Sequence, residues 1–372
     1  MKLITLFSLF ATFLFLSSSC RKEHTVIEYV PEEHNWKPDR LVRSTNKIML
    51  NGHAAPGHLY LLTPYSFWDL PRDLDFDEYQ SQNSLSFNPV ATDLSIDYKP
   101  RMTDYFYVCH TGDFLFIPTM NLYTINDVWK MNFALLDTAF LKFAYTPRWA
   151  GYNVGVLNNY VLVPYLNKYD PKIMSFQLIK LRYKYVLGEP LPDHVETVWT
   201  KKIEVPNPGT AKFVFDIYSV NGRFLVPVGD RTLAIDTSGQ VINEFEFPLA
   251  RIFHDKADNA YYSFDQYDHC HRSVDQGEYW EDWGFSPTVN WDRLTFTDIY
   301  GVPVAFSDSR IFRVAKIQGV PNELSYELKE LDNDGLQWDY ITSIMPYNDT
   351  IVYAATLSGA YYCTKEKFFK EK

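Results

Sequence analysis

Residues 212–247, KFVFDIYSVNGRFLVPVGDRTLAIDTSGQVINEFEF, alternate short apolar runs with tight polar turns. Val214–Val220 is rich in β-branched and aromatic residues, and Asn221-Gly222 follows it. That dipeptide is a strong hairpin signal, because both positions tolerate positive φ. Arg223–Val228 is almost wholly apolar, as expected of a strand covered on both faces. Gly229-Asp230 turns into a third strand, Arg231–Asp236, and Thr237–Gln240 turns into a fourth, Val241–Phe247. Glu244 and Glu246 alternate there with Phe245 and Phe247, which predicts one wet face. Covered inner strands and a half-exposed last strand describe one blade of a β-propeller.

Imperfect copies of this unit recur along the chain. An apolar run ending in Pro appears as HLYLLTP (58–64), DFLFIP (113–118), NYVLVP (159–164) and RFLVP (223–227). Pro cannot donate to a ladder, so these endings predict an equivalent strand end in successive blades. Phe215-Asp216-Ile217-Tyr218 is echoed by Thr297-Asp298-Ile299-Tyr300, which predicts matching places for the two aspartates. Candidate blade cores fall near residues 60, 115, 161, 225, 261, 304 and 352. Their spacing averages near the ~40–50 residues per blade of propeller repeats. The expectation is an all-β propeller of about seven four-stranded blades over residues 45–372, with six or eight also fitting. Two packed sandwiches are the alternative. Three Trp-Asp dipeptides (Trp68-Asp69, Trp291-Asp292, Trp338-Asp339) do not end equivalent strands, so they do not mark WD repeats.

The first 20 residues follow another pattern. MKLITLFSLFATFLFLSSSC has a charged start, an apolar run from Leu3 to Leu16, three serines and Cys20. The run is short for a membrane span and reads as an export signal over residues 1–19. Its end resembles the lipobox of bacterial lipoproteins, with Ser18 and Ser19 before the Cys and Ser17 where that family usually has Leu. The resemblance implies lipidation of Cys20 and a membrane anchor of several acyl chains. Arg21 follows in place of the inner-membrane retention Asp, so the resemblance implies the outer membrane, on either its periplasmic or its cell-surface face. Residues 20–44 are polar and read as a tether.

Composition narrows the function classes. The net charge is −11, from 35 Lys+Arg and 46 Asp+Glu, which argues against nucleic acid as a partner. Tyr and Phe number 27 each, an aromatic load suited to many packed strands. Cys20 apart, three thiols remain, Cys109, Cys270 and Cys363. They allow at most one disulfide; Cys109 with Cys363 is the candidate pair, and buried free thiols are the competing reading. No P-loop, G-x-G-x-x-G, G-x-S-x-G or H-E-x-x-H occurs, so neither a cofactor nor a catalytic residue is expected from motif.

Residues 65–100 and 265–294 interrupt the strand rhythm and are expected as rim insertions, where function concentrates. In the second, Tyr279, Trp280, Trp283 and Trp291 offer ring platforms, and Asp282 and Asp292 offer carboxylate acceptors. That mixture suits a glycan or a protein partner; packing of the loop onto its blade competes with it. His269 and His271 share one face of a strand and are the metal candidates, without a second ligand pair at zinc spacing. Asn333-Asp334-Gly335 predicts a hairpin turn, since Ile341 stands where a calcium loop needs Glu. Asp137-Thr138-Ala139 and Asp349-Thr350-Ile351 resemble a short O-glycosylation acceptor motif. The leading expectation is a non-catalytic binding or scaffold propeller at the outer membrane, with an envelope protein or a glycan as partner. A carbohydrate-active enzyme with carboxylates at the propeller channel is the alternative.

Overall fold

The computed structural model describes residues 34–372 other than 44–47, 50, 56–57, 63–66, 72–75, 77–101, 109–113, 124–127, 142–154, 168, 186, 188–191, 208–216, 266–268, 286–293, 317–325 and 337–338. The expected signal and Cys20 lie outside the described residues. Among the described residues, seven antiparallel sheets follow one another along the chain. The first is Asn51–Ala55, His58–Leu62 and Phe67–Pro71, and the second is Met102–Val108, Phe114–Tyr123 and Val128–Asn132. The third joins Phe140–Leu141, Gly155–Leu157, Tyr160–Asn167, Ile173–Tyr185 and Pro192–Pro206. The fourth is Tyr218–Val220, Arg223–Val228, Arg231–Asp236 and Val241–Phe245. The fifth is Phe253–Asp255, Ala260–Phe264, His269–Ser273 and Glu281–Phe285. The sixth is Thr295–Ile299, Val302–Ser307, Arg310–Lys316 and Tyr326–Glu330. The seventh is Ile341–Pro346, Ile351–Thr356 and Gly359–Thr364, completed by Lys37–Pro38 from the other end of the chain.

The architecture is a β-propeller. First strands of neighbouring sheets lie side by side: Gly155–Leu157 with Tyr218–Val220, Phe253–Asp255 with Thr295–Ile299, and Ile341–Pro346 with Asn51–Ala55. With Gly155–Leu157 and Phe140–Leu141 counted together as the inner edge of the third sheet, both pairing Tyr160–Asn167, all seven core positions read from the sequence fall in second strands. The blade expectation needs correction, however. Five sheets have four or more strands, and the first two have three each among the described residues. Spacing between strand cores locates sheets without reporting how many strands surround each core.

The fourth sheet reproduces the sequence reading closely. Asn221 and Gly222 both have positive φ, 46° and 76°, as a tight primed turn requires. Arg223–Val228 is buried throughout. Val241 and Ile242 are exposed along with Glu244, so only the end of the last strand alternates.

The prolines are placed differently from expectation. Pro118, Pro164 and Pro227 lie inside second strands, opposite Asp104, Phe176 and Thr232. Pro64 lies outside the described residues. Each second strand outruns one of its partners. Gly155–Leu157 covers only Tyr160 to Leu162, and Tyr218–Val220 covers only Arg223 to Leu225. Pro164 and Pro227 come after that coverage ends. Pro118 precedes the point, Thr119, where the third strand of its sheet begins to pair. A missing N–H is tolerated where a ladder has stopped.

The echo between residues 215–218 and 297–300 is also out of step. Tyr218 opens a strand and pairs with Leu225, whereas Tyr300 sits in the turn after Ile299. Asp216 lies outside the described residues.

Residues 35–43, read from the sequence as tether, belong with the propeller. Lys37 and Pro38 pair with Tyr362 and Tyr361 on the edge of the seventh sheet. Trp36 is 1% exposed and meets Phe368 edge-on at 5.9 Å. Asp39 is fully buried; its Oδ1 accepts the N–H groups of Leu41 and Val42, and its Oδ2 accepts the Tyr353 hydroxyl. This strand from one chain end closes the ring onto the other.

Hydroxyls stitch adjacent blades near the axis. Ser219 donates to the Val156 carbonyl, Thr297 to that of Ile344 at 3.3 Å, and Thr342 lies 2.9 Å from that of Met49.

Candidate functional site

Two regions carry the functional groups: the rim hairpin expected from sequence, and the central channel. The stretch 265–294 is less an insertion than the outer half of the fifth sheet. HCHRS and EDWGF are paired strands, with a register shift between Cys270 and His271. They read as irregular because an outer blade strand carries polar residues.

The hairpin tip, 274–279, is built around two side chains. Ser273 Oγ donates to Asp275 Oδ1 at 2.8 Å and accepts the Gly277 N–H at 2.8 Å. Asp275 Oδ1 also accepts the Tyr279 N–H at 3.0 Å. Burial pushes the Asp275 carboxyl up, but these donors outweigh it and hold the group below the ordinary carboxylate range. Arg223, 5% exposed on the fourth sheet, forks onto both carboxylate oxygens of Glu278. The tip is therefore fastened to the neighbouring blade.

Gly277 makes the close approach that this needs. Its φ is +82°, and a Cβ there would lie 2.9 Å from Val220 Cγ1. Gly277→Ala should lower stability by about 1–3 kcal/mol, from backbone strain and from the clash. A fall in the urea midpoint of the full chain, with unchanged slope, is the expected reading.

The described platform residues separate into three groups. Trp280 is 2% exposed and packs with Val220, Leu225, Ala234, Phe245 and Leu249 of the fourth blade. It is part of the core, so its ring is not open to a ligand. Trp283 is half-buried, with the Arg272 guanidinium 4.3 Å above its ring. Tyr279 and Asp282 are exposed, Tyr279 by 68%. Val274, on the same tip, is 58% exposed. Trp291 and Asp292 lie outside the described residues.

The metal candidates are not brought into a ligand set. His271 is buried and stacks flat on Phe247 at 4.1 Å, with Nε2 3.8 Å from Asp265 Oδ2. His269 donates its backbone N–H to Asp265 Oδ1. Among the described residues no group of three or more His, Cys, Asp or Glu could hold a metal ion. Cys270 and Cys363 are buried free thiols, and burial pushes both well above the ordinary thiol range, as expected of inert packing residues. Cys109 lies outside the described residues. Thr138 and Thr350 of the short acceptor motifs are both exposed on turns.

The central channel went unread in the sequence as a set of named residues. It encloses a cavity of about 570 Å³ lined by the first strands of six of the sheets, with Ile252 and, from a second strand, Tyr261. His53, Tyr218, His254, Tyr261 and Asp298 are its larger polar groups. His254 and Tyr261 are register partners, and their rings stack at 4.5 Å. Asp298 is the one carboxylate in the described lining. Its Oδ1 meets Lys256 Nζ at 3.1 Å and accepts the Gly301 N–H. Half-buried residues in the middle of apolar strands were the available signal, but only closure of the ring turns them inward.

No family profile matches the sequence, and no curated protein matches it. Several solved structures align with the chain at low identity. The extracellular domain of a hybrid two-component system from B. thetaiotaomicron is 10% identical, covering 90% of this chain and 41% of that one, with a TM-score of 0.42. Raptor of Chaetomium thermophilum is 10% identical, covering 91% and 30%, at 0.39. PorZ, an essential surface component of the type-IX secretion system of Porphyromonas gingivalis, is 8% identical, covering 91% and 39%, at 0.41. The chain spans well under half the length of each.

Proposed function

We propose that this protein is an exported lipoprotein, anchored through Cys20 in the outer membrane, whose propeller binds an envelope protein as a non-catalytic scaffold subunit. The observation that carries the reading is the rim hairpin. Its tip is held by its own hydrogen bonds and by the Arg223–Glu278 fork, and it presents Tyr279 and Val274 to solvent. A rigid surface carrying an exposed Tyr loses little freedom on binding, and Tyr is enriched among residues that dominate interfaces. The anchor rests on the lipobox resemblance of residues 17–20.

The enzyme reading draws less support. Glycoside hydrolysis uses two carboxyl groups roughly 5–10 Å apart across a scissile bond. The described channel lining holds one, and Lys256 neutralises it.

The test is purification of the tagged full-length protein from its own membranes in mild detergent, followed by mass spectrometry. Tyr279→Ala with Val274→Ser is the comparison, because neither side chain belongs to the core. A stoichiometric envelope partner, reduced about tenfold or more in the double variant, supports the proposal, a loss of about 1.4 kcal/mol. A protein that comes out alone, or a partner retained equally by both forms, refutes the rim as the interface. Cys20→Ala should move the protein out of the membrane fraction.

A further inference from the structure

We propose that the central channel is a second binding site, independent of the rim, that takes a neutral mono- or disaccharide at His254 and Tyr261. The cavity, about 570 Å³, falls within the size range of small-molecule sites. Most of the polar groups in its wall are already committed. Ser219 and Thr297 donate to carbonyls of neighbouring blades. The Tyr218 hydroxyl accepts the Arg251 N–H at 2.7 Å, and Asp298 Oδ1 is held by Lys256 and Gly301. His254 and Tyr261 differ. They stack on each other, and neither the imidazole nitrogens nor the phenol hydroxyl has a hydrogen-bond partner among the described residues. Beside these, Asp298 Oδ2 is buried without a hydrogen-bond partner, so spare capacity in the wall lies at the stacked pair and at this carboxylate oxygen, an acceptor for a sugar hydroxyl.

Charge and shape select the ligand class. Among the described residues no Lys or Arg lines the cavity, so an anion finds no countercharge from them. The single acid is paired with Lys256, so a cation finds no uncompensated one. Ile252, Phe296, Ile344 and Met345 line the cavity beside the pair. A sugar ring matches this division, with C–H faces for the apolar wall and hydroxyl edges for the imidazole and phenol. A purely apolar ligand would leave both polar groups unpaired on displacing their water.

The full-length protein in detergent would be examined by saturation-transfer NMR. The probes are glucose, N-acetylglucosamine, cellobiose and chitobiose, with glucose 6-phosphate as the anionic control. At least one neutral probe should show transfer. Tyr261→Phe, which keeps the ring, should weaken its affinity by about 3- to 10-fold, the value of one hydrogen bond. His254→Ala should weaken it further, and Tyr279→Ala should leave it unchanged, which separates this site from the rim. The phosphorylated sugar should bind more weakly than glucose. Absence of transfer from all four neutral probes, affinity unchanged in Tyr261→Phe, or preference for the phosphorylated sugar would overturn the proposal.

Discussion

Trp280→Ala lowers the stability of the protein by about 3–5 kcal/mol, the usual cost of deleting a large buried ring. The ring lies in the fourth blade's core although the residue belongs to the fifth, so its loss opens a cavity across a blade boundary. Val220, Leu225, Ala234 and Phe245 are fixed in the ladder of the fourth sheet and cannot collapse freely into that space, which favours the upper part of the range. The expected reading is a large drop in the urea midpoint. Tyr279→Ala, one residue away and exposed, should change stability by no more than about 0.5 kcal/mol. The pair is diagnostic: an unchanged midpoint for Trp280→Ala would return that ring to the ligand platform read from the sequence.

Asp39→Ala has the second largest expected effect, a loss of about 3 kcal/mol. Its carboxylate is fully buried and serves two backbone N–H groups and the Tyr353 hydroxyl at once. Each buried donor left unpaired costs ~1–3 kcal/mol, and relaxation at a chain end recovers part of the sum. Asp39→Asn keeps an acceptor oxygen for the backbone and should cost less than Asp39→Ala. Because these bonds hold the closing strand, limited proteolysis of Asp39→Ala should cut near residues 35–43 before the blades. Equal resistance to cleavage in the variant and the parent would show that the closing strand is held by Trp36 instead.

Much of the scaffold was legible because blade strands are local objects. Apolar runs bounded by the Asn221-Gly222, Gly229-Asp230 and Thr237–Gln240 turns placed Arg223–Val228 and Arg231–Asp236 at the limits observed. What failed was relational. Trp280 looks the same in sequence whether its ring faces solvent or the next blade, since the surface it meets is formed some 50 residues earlier, around Leu225 and Ala234. HCHRS and EDWGF read as an interruption because outer strands carry few apolar residues. Lys37–Pro38 is too short to signal a strand, and its partner, Tyr361–Tyr362, is at the far end of the chain. Tyr279 and Asp282 were found as exposed groups, while the stacked His254 and Tyr261 became visible only once the ring was assembled.

Ring closure by the two chain ends sets an order on how the protein forms. The bond between Tyr353 and Asp39 spans 314 positions in sequence. Contacts of that separation form late, because the chain between them must be ordered first. During synthesis the closing strand emerges before the seven sheets, while the edge it completes emerges after six of them. Trp36, Leu41 and Val42, all buried in the finished ring, spend that whole interval without their final neighbours. A protein built this way is exposed to wrong pairing and aggregation for as long as its last sheet is missing, and truncation at either end should yield an open, sticky array rather than a smaller propeller.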